Sequence, residues 1–139
     1  MDDIIRFGVS LPKKLLDDFD KDNENRGYEN RSEAIRDLIR NRLVEVEWEE
    51  GEGESAAAVV LVYDHHRHGV TDHLTKHQHD HHEHIISSLH AHLDHNNCME
   101  VILLRGKASE IRTIAENLAS SKHVKLGKFI PATLGSEIV

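Results

Sequence analysis

Between residues 6 and 11 the chain alternates, with Phe7, Val9 and Leu11 set against Arg6, Gly8 and Ser10. A period of two predicts a half-buried strand. After Pro12, which suits the first turn of a helix, the period lengthens. Leu15, Leu16 and Phe19 give a helix its apolar side, and Gly27 is placed to stop it. Asn30-Arg31-Ser32-Glu33 reads as a capping box. It opens a second helix with Ala34, Ile35, Leu38, Ile39 and Leu43 at helical spacing. One strand and two helices in about 45 residues bury too little apolar surface to stand alone. Two copies pairing their strands would supply the missing core, which is the ribbon-helix-helix arrangement. A plain dimerisation module would show the same pattern.

The run Glu45 to Ser55 is acidic and carries Gly51 and Gly53. Like charges and glycine predict a linker or fraying helix end there. The expected division is therefore 1–48, a DNA-binding and dimerisation domain, 49–55, a linker, and 56–139, a second domain. In the latter, residues 56–63 (AAAVVLVY) read as a buried strand and 70–84 as a helix. Residues 85–94 alternate, with Leu89, Ala91 and Leu93 on one face and Ser88, His90, His92 and Asp94 on the other. A turn at 95–97, a strand at 98–104, a helix after Gly106 and a strand at 124–132 complete the order. The fold class expected is α+β, with a ribbon-helix-helix followed by a ferredoxin-like (ACT-type) βαββαβ domain.

Composition changes the picture at one place. Twelve of the thirteen histidines fall between His65 and His95, and the stretch closes on the single cysteine, Cys98. Imidazole and thiolate bind borderline-soft transition metals, and packing gives little reason to gather them. A net charge of −8 argues against nucleic acid as a whole-surface partner. A ribbon face carrying Arg6 and Arg31 could still be locally positive. One cysteine excludes an internal disulfide framework, and no apolar run approaches a membrane span. The expectation is a soluble, cytoplasmic, metal-binding protein.

His90 and His92, two apart on a strand, project to one face about 7 Å apart at the backbone. With a three-residue turn, Asp94 lies opposite Cys98 and the thiol joins that face; a two-residue turn sends it to the other. Tetrahedral ligation would favour zinc, planar ligation nickel or copper. His73, His77 and His81 repeat at i, i+4 and i+8 on the helix, where spacing alone does not choose a fourth ligand.

Gly27-Tyr28-Glu29-Asn30-Arg31-Ser32-Glu33-Ala34-Ile35-Arg36-Asp37, then Gln78-His79, Leu89-His90-Ala91-His92 and Cys98-Met99-Glu100-Val101 resemble the NikR family of nickel-responsive transcriptional regulators. The resemblance implies a homotetramer, a dimer of dimers, with Ni(2+) held by His90, His92 and Cys98 of one subunit and His79 of a neighbour. It implies secondary cation positions matched by Glu33 and Asp37, with His65 a further candidate. It also implies repression of nickel-uptake genes through double-stranded operator DNA. The ribbon would present Arg6, Gly8 and Ser10 to base edges, and the helix start at Asn30, Arg31 and Ser32 to a phosphate. Gly8 departs from the family by offering no side chain. The surplus of helix histidines leaves a second reading, a nickel storage or delivery protein. No nucleophile motif, and no general base beside an open metal position, supports an enzyme.

Overall fold

A computed structural model describes residues 3–139. The chain forms two compact units, one through Asn41 and one comprising Arg42–Val139.

In the first unit, residues 3–12 take up no regular hydrogen-bonded structure, and Phe7, Val9 and Leu11 are exposed. The strand expected there has its alternation but no second strand to pair with in a single chain. Helix α1 (Lys13–Arg26) follows Pro12 and ends at Gly27, whose φ of 82° is left-handed. Helix α2 (Arg31–Glu50) starts where the Asn30 side chain accepts from the Glu33 N–H at 2.9 Å. Only half of the capping box forms, because the Glu33 carboxylate turns to Arg36.

Regular structure reaches into the expected linker, 49–55, from both sides. The acidic run does not fray: Glu49 and Glu50 are helical, and Glu54 and Ser55 belong to a strand. The break is confined to residues 51–53, and the division between units falls earlier, inside α2. The reason is Trp48, which is buried and donates its indole N–H to the Ala132 carbonyl at 2.8 Å. Its ring meets Phe129 edge-on at 5.4 Å, and Val44, one turn earlier, packs on the same core. Apolar anchoring at i and i+4 outweighs the repulsion of exposed glutamates.

The second unit continues with β1 (Glu54–Asp64), α3 (Val70–Asp80), β2 (Ile85–His92), β3 (Asn97–Lys107), α4 (Ala108–Ala119) and β4 (Val124–Pro131). Its antiparallel sheet has the order β2-β3-β1-β4, the ferredoxin-like topology the periodicity predicts. One face packs Val59, Leu61, Tyr63, Ile102 and Leu104 against Leu74 of α3 and Ile111, Ala115 and Leu118 of α4. The other face is open: Leu89, Leu103, Leu126 and Ile130 are exposed on it. No helix among the described residues is long and apolar enough to cross a membrane.

Candidate metal centre

The β2–β3 hairpin decides which side chains share a face. His92 pairs with Cys98, Ala91 with Met99 and His90 with Glu100. Opposed residues point the same way, so both imidazoles and the thiol lie on the helix-covered face. Five residues, 93–97, separate the paired His92 and Cys98, two more than expected, so Cys98 faces His92 rather than Asp94. The shift is an even number of residues, so the face is unchanged. Asp94 builds the loop: its Oδ1 accepts the N–H groups of Asn96 at 2.9 Å and Asn97 at 2.8 Å. Bonds from the Asn97 side chain and those two N–H groups hold its carboxyl down at about 2.

The two imidazole rings are 5.6 Å apart and exposed, whereas Cys98 is fully buried. The thiol donates to the Tyr63 carbonyl across 3.6 Å, and burial pushes its pKa up. Beside it runs a buried chain of hydrogen bonds. The Tyr63 hydroxyl donates to Glu100 Oε2 at 2.9 Å, and the Gln78 amide donates to Glu100 Oε1 at 2.8 Å. Burial and then Glu100 raise the Tyr63 pKa. This chain joins β1, β3 and α3, and it was not foreseen beyond the motifs that contain Gln78 and Glu100. The available signal was a carboxylate in phase with Cys98, Ile102 and Leu104, on the buried period of β3.

His65 lies against His66 and His92, with ring centroids 4.1 and 5.0 Å apart, and its buried Nδ1 lacks a hydrogen-bond partner. His79 is exposed near the end of α3, and its ring neighbour is His82 at 6.2 Å. Among the described residues, no three His, Cys, Asp or Glu side chains converge on one ion position. A single chain thus gathers His90, His92 and Cys98 on one face but does not bring His79 to them.

In the first unit, Asp37 accepts from the Tyr28 hydroxyl at 2.7 Å and from Arg40 at 3.0 Å. These bonds lower its pKa, Tyr28 more than Arg40. Glu33 pairs with Arg36, so both carboxylates have protein partners. Arg6, Gly8, Ser10, Asn30, Arg31 and Ser32 are all exposed. Arg31 is engaged, its Nε and Nη2 donating to Asp20 at 2.8 and 2.7 Å.

Residues 56–131 match the family model of the NikR C-terminal nickel-binding domain, more than half of the chain. The chain belongs to the NikR family. Residues 5–46 match the ribbon-helix-helix model of the copG family. NikR relatives extend over the full length. A protein of Geotalea uraniireducens and one of Geobacter sulfurreducens are each 54% identical over 138 residues, covering 99% of both chains. One of Thermococcus onnurineus is 51% identical over 136 residues, covering 98% of this chain and 99% of its own. All three are named as candidate nickel-responsive regulators. An uncharacterized protein of Thermotoga maritima superposes with a TM-score of 0.50 at 15% identity, covering 57% of this chain and 98% of its own, a likeness of fold alone. NikR proteins are nickel-responsive regulators, not enzymes, and they join a DNA-binding ribbon-helix-helix to a nickel-binding domain.

Proposed function

We propose that this protein is a cytoplasmic, nickel-dependent repressor of nickel-uptake genes. It acts as a homotetramer, a dimer of dimers, on double-stranded operator DNA. His90, His92 and Cys98 of one subunit and His79 of a neighbour would hold Ni(2+). The observation that carries this reading is the hairpin register, which gives two imidazoles and one thiol a common face.

The donor set fits the metal. Two nitrogens and a sulfur suit a borderline transition ion, and such an ion takes sulfur as thiolate. Bound nickel supplies a bond between subunits. Everything else is the chain's own work: the hairpin orients His90 and His92, Tyr63 and Glu100 line the thiol, and Gln78 tethers the helix that carries His79. Glu33 and Asp37 would exchange their arginines for a hard cation.

Two apolar surfaces favour self-association. Phe7, Val9 and Leu11 are exposed along a segment that needs a second strand, and the sheet's open face leaves Leu89, Leu103, Leu126 and Ile130 uncovered. In the paired ribbon, Arg6 and Ser10 would reach base edges, with Gly8 allowing close approach. Arg31 would leave Asp20 for a phosphate, while Asn30 and Ser32 present backbone N–H groups.

A gel shift on a nickel-uptake promoter, with and without nickel, tests the reading. Nickel should tighten binding by about 5- to 150-fold, and Cys98→Ala should abolish that response. Equal binding in both states would refute it.

A further inference from the structure

Helix α2 belongs to both units, residues 31–41 to the first and 42–50 to the second. Its last turns are fastened to the sheet and to α4. Trp48, the only tryptophan of the chain, is 5% exposed. Its ring and that of Phe129 share the Arg112 guanidinium, whose carbon stands 5.4 and 5.5 Å from the two ring centroids. Glu116 holds Arg112 in turn at 3.4 Å, so a cation of α4 sits on an aromatic pair formed by α2 and β4. The Ala132 carbonyl that takes the indole N–H also accepts the Ser55 hydroxyl at 3.0 Å, which brings β1 into the same seat.

The glycine-containing break after α2 is fastened too. The Gly51 carbonyl accepts from the Ser109 N–H at 3.0 Å, and the Gly53 carbonyl from the Ala108 N–H at 2.9 Å. Both donors lie in the first turn of α4, where backbone N–H groups find no partner within their own helix. The break therefore caps α4. A movement there would strip two hydrogen bonds from that helix start and unseat Trp48. Residues 31–50 contain neither glycine nor proline, the usual causes of a helix kink.

We infer that the 51–53 break is not a hinge, and that Trp48 and Arg112 are positioning residues for DNA binding. They weld the end of α2 to the nickel-binding unit. A change in that unit's placement is then carried along the helix to its start at Arg31 and Ser32, rather than absorbed after residue 50. The inference rests on the nickel-dependent DNA binding proposed above. The seat stands apart from the nickel face: Phe129 pairs with Val59, whereas Cys98 pairs with Tyr63, four residues further along β1.

Three full-length proteins test it: native, Trp48→Leu and Arg112→Gln. The Arg112 side chain is 41% exposed, so Arg112→Gln should fold even if Trp48→Leu does not. In metal-free protein without DNA, the amides of residues 46–50 should exchange with deuterium as slowly as those of residues 112–118 in α4. They should exchange about 2- to 5-fold faster in Arg112→Gln, and faster still in Trp48→Leu. Nickel affinity, measured by chelator competition without DNA, should change by less than about twofold. The tightening of operator binding by nickel should shrink by about 2- to 30-fold, least in Arg112→Gln. Native residues 46–50 exchanging like a frayed helix end would overturn the inference, as would native exchange rates or an undiminished nickel response in a folded variant. A larger loss of nickel affinity would place the damage in the nickel site and overturn it equally. If native protein shows no response to nickel, the proposed function fails, and the exchange comparison still decides the weld by itself.

Discussion

Histidines in this chain differ by environment more than by spacing. His77 sits between His73 and His81, with rings 6.4 and 4.9 Å away, and its buried Nε2 has no partner. Burial first, then the two neighbouring imidazoles, hold its pKa below the ordinary 6.5. His65 and His123 are lowered as well, both chiefly by burial. A depressed histidine pKa means the unfolded chain takes up protons before the folded one does. Stability from these sites is therefore full above pH 6.5 and declines as pH falls from there toward the folded values. With metal chelated, the urea midpoint should fall between pH 7.5 and pH 5.5, and His77→Gln should make that fall shallower. An unchanged slope would show that His77 titrates alike in both states. None of this was readable from the i, i+4, i+8 repeat, because the repeat does not say which ring the fold covers.

At the scale of elements, the fold was legible wherever a period continued to its natural end. The apolar runs of β1 and β3, the alternation of β2 and the stripe of α4 fell where the residues put them. Three places were not legible. The acidic run hid a helical turn, since charge counting gave no weight to Trp48. The stretch between the paired His92 and Cys98 was two residues longer than expected, and the carboxylate of Asp94 organises it from within. The Gln78–Glu100 and His84–Glu110 contacts join residues 22 and 26 positions apart, which no local pattern reveals. A further contact sets the packing of α4 on β4: a Cβ on Gly127 would stand 1.8 Å from the Ala119 carbonyl oxygen. Backbone cannot yield as a flexible side chain can. Gly127→Ala should cost about 3 kcal/mol or prevent folding, as read by urea unfolding. A loss below about 0.5 kcal/mol would mean the strand can shift freely.

For the whole molecule, the charge of −8 and the reading of the site bear on assembly. The sheet's open face offers apolar area that a monomer would leave in water. Leu103 on β3 is 42% exposed at its middle. Leu103→Glu should leave the second unit folded by circular dichroism yet reduce the assembled mass seen by light scattering. Full assembly in that variant would move the interface elsewhere. The shared face of the candidate ligands was legible in the sequence only in part. Strand parity brought His90, His92 and Cys98 together on physical grounds, whereas His79 came only from family resemblance, since its partners would lie outside its own chain.

The bond between Gln78 and Glu100 has a consequence in time. Gln78 precedes His79, so α3 cannot swing away from the sheet without breaking that bond and leaving a buried carboxylate short of a donor. In the proposed site, where His79 is a ligand, that bond would slow any release of nickel that requires α3 to move. Persistence of the nickel-bound state would then depend in part on a hydrogen bond that never touches the metal.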